Sequence, residues 1–139
     1  RQRNFVNKEE IMNKYSFTKT FEYDDSDLID VISSAIYDIG YWSCIDNDTD
    51  AWHEARKEVA GVDYTFEDIF FHILKSGNAV ELFDIEDNEE IWELTLAKLL
   101  RGIQMAMDND YWDGDVDELD GSIGDIIFQY ALFDDIVFG

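Results

Sequence analysis

The sequence predicts a single α+β domain in which an antiparallel sheet of four to five strands packs with three to four helices. Three observations predict it. Short aromatic or β-branched stretches of period two are interleaved with capped segments of helical period, without the regular alternation of a doubly wound sheet. The 139 residues contain no internal repeat, Pro-rich linker or low-complexity block that would divide them. The 46% hydrophobic and 15% aromatic content is far above that of disordered acidic chains, and a chain of this length buries roughly 70% of its unfolded surface.

The elements follow in order. Tyr15-Ser16-Phe17-Thr18-Lys19-Thr20-Phe21-Glu22-Tyr23 alternates aromatic and polar residues and predicts a half-buried strand. Asp24 to Asp27 then supply capping side chains, and Leu28, Ile29, Val31, Ile32, Ala35, Ile36 and Ile39 keep helical spacing up to Gly40. Tyr41 to Ile45 opens a second strand before the polar loop Asp46 to Asp50, and residues 51–64 are ambiguous. Thr65 caps a helix whose apolar set is Ile69, Phe70, Ile73 and Leu74 and which ends at Gly77. Ala79 to Ile85 and Glu90 to Leu94 flank Glu86-Asp87-Asn88-Glu89 as a β-hairpin. Thr95 caps a helix with Leu96, Leu99, Leu100 and Ile103 on one face, which stops at Asp108. An acidic loop runs to Gly121; Ile123 to Phe133 reads as a buried helix, apolar almost all round, and Ile136 to Phe138 as a closing strand.

Residues 1–11 lack this periodicity and are expected to be a non-native or disordered extension of the 12–139 domain. Asn7 to Ile11 can be encoded by a purine-rich ribosome-binding sequence at normal spacing before the codon of Met12, which makes Met12 the expected native start. An ordinary native extension is the alternative. Such a gene would come from an AT-rich bacterium or its phage.

Several function classes are excluded. One Cys allows no intramolecular disulfide framework and no Cys-rich zinc site, and Cys44, between Trp42 and Ile45, is expected to be buried and inert. No run of about 18 apolar residues and no signal peptide is present, so the chain is expected to be soluble and cytoplasmic. Asp46-Asn47-Asp48-Thr49-Asp50 begins like a calcium loop but has Ala51 at the sixth position and Lys57 at the twelfth. The run from Asp113 fails the same test with Glu118 and Gly124. His53 and His72 sit in no ligand pattern, and His72 is expected to be an ordinary helix residue. No catalytic signature stands out, so neither an enzyme nor a cofactor is expected.

What the sequence does constrain is charge. There are 33 Asp and Glu against 10 Lys and Arg, and with residues 1–11 set aside the domain carries −24. Residues 21–50 hold nine acids, 81–93 seven and 108–120 seven, with no Lys or Arg in any of the three stretches. Residues 21–139 hold 31 acids against Arg56, Lys57, Lys75, Lys98 and Arg101, so most carboxylates have no possible ion-pair partner. Solubility needs a charge magnitude of only about 2 to 8. Duplex DNA carries one charge per about 1.7 Å, so 24 charges correspond to about 41 Å of axis. A compact domain of this length is about 37 Å across. A rigid anionic body can therefore stand in for a duplex in a basic groove, with salt-sensitive binding. Direct nucleic-acid binding is disfavoured, because no basic stripe exists.

The candidate partner-binding residues are Asp24, Asp25, Asp27 and Asp30 at the first helix, and Glu86, Asp87, Glu89 and Glu90 at the hairpin. In the loop they are Asp108, Asp110, Asp113, Asp115 and Asp117. Tyr111 and Trp112 lie between loop acids with no apolar pattern around them. They are either interface anchors or buried by the loop folding back. Trp92, on one side of the hairpin, is assigned to the core.

Asp125 to Phe133 followed by Asp135-Ile136-Val137-Phe138-Gly139, with Glu93 to Leu100 upstream and Tyr41-Trp42 earlier, resembles a family of small acidic phage and prophage proteins of uncharacterised function. The resemblance covers most of residues 12–139, rests on core segments and transfers no site. It implies a context in which DNA-mimic inhibitors of restriction enzymes and CRISPR effectors occur. The expected function is thus a phage-encoded DNA mimic that blocks the groove of a basic nucleic-acid-binding host protein such as a defence nuclease. A homodimer is compatible with it. The alternative is an acidic protein-interaction module without mimicry.

Overall fold

The computed structural model describes residues 13–139, so the expected extension 1–11 lies outside the described residues. In chain order the elements are α1 (Asp25–Ala35), a 3-10 turn (Asp38–Tyr41), β1 (Ser43–Ile45), α2 (Asp50–Glu58), α3 (Phe66–Lys75), β2 (Val80–Asp84) and β3 (Ile91–Leu94). They continue with α4 (Leu96–Asp108), a second 3-10 turn (Val116–Glu118) and α5 (Gly121–Phe133). The class is α+β as expected, but with five α-helices among the described residues instead of three to four, and one antiparallel sheet of three strands in the order β1-β2-β3 instead of four to five.

Local chemistry starts the helices where the sequence expects. Asp24 and Asp27 form a reciprocal capping box at α1, with N–H to carboxylate distances of 3.0 and 2.9 Å. Thr65 and Asp68 repeat it at α3, and Thr95 accepts from the Lys98 N–H at α4. The ambiguous stretch 51–64 contains α2, capped by Thr49, whose Trp52 is fully buried against Phe66 and Phe70.

Helix α5 is the central strut, and two glycines let it be. A Cβ at Gly102 of α4 would lie 2.9 Å from Ala131 Cβ, and one at Gly124 would lie 2.8 Å from Ala35 Cα of α1. The backbones therefore approach too closely for any side chain, and α5 is buried from both sides. That is why its sequence is apolar almost all round: Ile127, Phe128, Tyr130 and Ala131 are all buried.

Four expectations need correction. The strand expected over Tyr15 to Tyr23 does not form: alternation defines faces, but Thr18 to Tyr23 lie beside Leu100, Ile103 and Met107 of α4 and not along either edge strand of the sheet, and Phe21 and Tyr23 pack around Gly114. The closing strand Ile136 to Phe138 is also absent, because the side-chain amide of buried Gln129 takes the backbone groups of Val137 and Phe138. Cys44 is exposed, not buried. In three-residue β1, Ser43 takes the inward position and donates to the Ile39 carbonyl at 3.1 Å, which turns Cys44 outward. Finally, the first helix ends at Ala35, and a tighter 3-10 turn carries Ile39 into the core, reaching past Gly40 to Tyr41.

The hairpin register pairs Leu82 with Trp92 and Phe83 with Ile91. Trp92 is half-buried and packs with Trp42, Phe133 and Phe138. Among the described residues no helix is long and apolar enough to cross a membrane.

Candidate functional site

The acidic surface is built from three stretches, and the structure brings two of them together. The turn Val116–Glu118 packs against α1, and the Tyr23 hydroxyl donates to the Gly114 carbonyl, tying the entry to α1 onto the acidic loop. Burial pushes the Tyr23 phenol up to about 12, helped by the nearby carboxylates of Asp27, Asp115 and Asp113. One tyrosine thus reports on acids of both stretches. The charges extend further along this face than the sequence reading reached. Asp38 lies against Gly121 at the start of α5, beside its N-cap Asp120, and both carboxylates are exposed. The favourable field of a helix N-terminus suits an anion there. Asp38 and Asp120 belong to the acid-only stretches 21–50 and 108–120, so their type was visible; their adjacency is a product of the fold.

The acids of the third stretch stand on the β2–β3 hairpin, whose β2 pairs with β1 at the far end of the first stretch. Glu86, at the turn of the hairpin, shares a hollow with Tyr41, Trp42 and Phe138. Asp87 accepts from the Glu89 N–H at 3.1 Å, and Asp84 accepts from the Glu86 N–H at 2.8 Å, so the turn is shaped by its own carboxylates. Glu86, Asp87, Glu89 and Glu90 are all exposed.

Within the loop, acids divide by role. Asp113 accepts from the Asp115 N–H at 2.9 Å, and Asp115 caps the second 3-10 turn through the Asp117 N–H at 3.0 Å. Asp108 accepts from the Gln104 amide at 2.8 Å. Asp110 adopts a left-handed conformation, φ 63°, where the chain reverses after α4. Asp30, Asp117 and Glu118 are exposed, and their side chains cap nothing among the described residues. They can meet a partner at no structural cost.

The Tyr111-Trp112 pair is split. Trp112 is only 7% exposed: the loop folds back, its ring packs near Tyr23, and its Nε1 donates to the Asp115 carbonyl at 2.8 Å. It belongs to the core and cannot anchor a partner. Tyr111 stays 46% exposed.

Neutralisation is sparse. Between Lys or Arg and carboxylates, the described residues form two ion pairs, Lys75 with Asp25 and Arg101 with Asp134. His53 meets Asp48 at 2.7 Å and His72 meets Glu58 at 2.5 Å, which gives both histidines a surface partner. Asp46, in the loop that begins like a calcium site, accepts from the Asp48 N–H at 3.0 Å. Among the described residues no group of three or more His, Cys, Asp or Glu is arranged to hold a metal ion. Compared with protein-family models, curated proteins and solved structures, the chain matches none.

Proposed function

We propose that the protein is a phage-encoded DNA mimic that acts in the bacterial cytoplasm. It occupies the nucleic-acid groove of a basic host protein, such as a restriction enzyme or CRISPR effector, without catalysis of its own. The observation that supports this reading most is the meeting of α1 with the acidic loop, where Tyr23 bonds to Gly114 beside Asp27, Asp113 and Asp115, on a chain whose Lys and Arg pair with only two carboxylates among the described residues. Such a face presents negative charge on a folded scaffold, with little backbone ordering left to lose on binding.

The test uses acids that hold no turn together. An Asp30→Lys, Asp117→Lys, Glu118→Lys variant should keep its fold and lose capture of nucleic-acid-binding proteins. Reversing Asp113 and Asp115 is less informative, because both cap local backbone. Unchanged capture by the triple variant would sink the assignment of this face.

The alternative, an interaction module without mimicry, now rests on Tyr111, since Trp112 is in the core. It predicts capture that is lost on Tyr111→Ala and indifferent to salt. Trp112→Ala would report on folding alone.

A further inference from the structure

Two neighbouring stretches of this anionic chain carry no carboxylate. Residues 13–21 contain Lys14 and Lys19, and residues 94–107, most of α4, contain Lys98 and Arg101. Between Thr18–Tyr23 and α4 runs a groove of about 510 Å³ with Phe21, Tyr23, Leu100, Ile103 and Met107 along it. Thr18, Lys19, Gln104 and Met107 also border a second hollow of about 450 Å³, where Asp108, Asp110 and Asp113 stand. The groove is thus apolar at one end and acidic at the other.

Just upstream the chain displays the complementary set. Tyr15 is 80% exposed and Phe17 94%, with Lys14 beside them, while Leu100 in the groove is 47% exposed. Aromatic rings face solvent within a few residues of an apolar groove that they do not enter. The reason is geometric: Thr18 and Lys19 already form the groove's wall, so Phe17 could enter only by doubling back over them. Residues 13–20 contain neither Gly nor Pro to make so tight a reversal.

We propose that the occupant of this groove is residues 14–17 of a second copy of the chain, exchanged reciprocally about a two-fold axis. Tyr15 and Phe17 of each copy cover Leu100 and Met107 of the other, and Lys14 faces Asp108 and Asp110. An isologous contact of this kind closes at two copies. Charge selects it over other ways of pairing: two bodies this acidic repel over most of their surface, and here a basic segment meets an acidic hollow. Asp30, Asp117 and Glu118 take no part in the contact. The pairing does not rest on the function proposed above, because it is decided by mass and not by capture.

Sedimentation velocity on the full chain, from about 5 to about 300 μM at physiological ionic strength, tests it over the range where a modest interface reports. The expected result is a concentration-dependent species with the mass of two chains. A Tyr15→Ser, Phe17→Ser variant should raise the dimer Kd at least about thirtyfold, the effect of leaving one large ring unburied. Its urea midpoint, measured below the concentration at which the dimer forms, should stay unchanged, since both rings are already in solvent in the single chain. Leu100→Ser, on the accepting side, should weaken the dimer in the same direction. A one-chain mass across the whole range overturns the proposal, and so does a dimer that survives loss of Tyr15 and Phe17.

Discussion

The side-chain amide of Gln129 holds Phe138 by both ends of its backbone: Oε1 accepts from the Phe138 N–H at 2.7 Å, and Nε2 donates to the Phe138 carbonyl at 3.1 Å. Oε1 also accepts from the Val137 N–H at 2.8 Å, and Nε2 also donates to Asp125 at 2.9 Å. All four hydrogen-bonding positions of a buried amide are used. The Phe138 ring is thereby laid on Trp42, with centroids 5.0 Å apart and planes 7° from parallel. Gln129→Leu should cost about 2 to 4 kcal/mol, because it leaves the Val137 and Phe138 N–H groups and the Phe138 carbonyl without their side-chain partner at once. Urea denaturation gives the loss, and tryptophan emission should shift to the red as Phe138 leaves Trp42.

The close approaches of α5 make a second expectation. Gly102→Ala places a methyl against the Ile127 carbonyl and Ala131, and Gly124→Ala places one against Ser34 and Ala35. Each should destabilise by about 1 to 3 kcal/mol or more through overpacking. Gly40→Ala, where a methyl meets nothing within 4 Å, is the control and should be near neutral. Thermal melts of the three variants decide it.

Alkaline pH should weaken the fold in a defined window. Tyr41, although 55% exposed, donates to Asp125 at 2.6 Å, and desolvation of its hydroxyl together with that carboxylate pushes its phenol up to about 12, as burial does for Tyr23. The unfolded phenols ionise near their ordinary value of about 10, whereas the folded ones keep their protons. The stabilisation is therefore complete below pH ~10 and lost as pH rises towards ~12. Urea midpoints from pH 9 upward should fall, and fall less for Tyr23→Phe and Tyr41→Phe. Asp125→Asn should lower the Tyr41 titration in an ultraviolet difference spectrum.

On the sheet, Glu81 stands directly opposite Glu93. Like charges across a strand pair destabilise, so Glu93→Lys should stabilise by about 0.2 to 1 kcal/mol, read as a rise in urea midpoint. The gain should shrink at high salt.

Much of this architecture was legible in the sequence, and the failures share a cause. Capping residues at Asp24, Thr65 and Thr95 and the period of the apolar positions place three helices, because both signals are local. Pairing is not local. The alternation of Tyr15 to Tyr23 describes a strand with no partner, and Ile136 to Phe138 gives its backbone groups to a glutamine instead of a neighbouring strand. Cys44 was misplaced by a single step of phase in a strand of three residues. For the site, residue type was visible and adjacency was not: nothing in the order of the chain puts Asp27, Asp113 and Asp115 around one tyrosine, or Asp38 next to Gly121.

The central claim is that the acidic face stands in for nucleic acid. Its most direct test is capture of partners from a low-GC bacterial lysate at about 50 mM and about 300 mM salt, with excess duplex DNA as competitor in a parallel sample. Mimicry predicts that nucleic-acid-binding proteins are held at low salt and released by both salt and DNA. A catch that survives both would contradict it, and would move the binding surface to Tyr111 and the apolar side of the molecule.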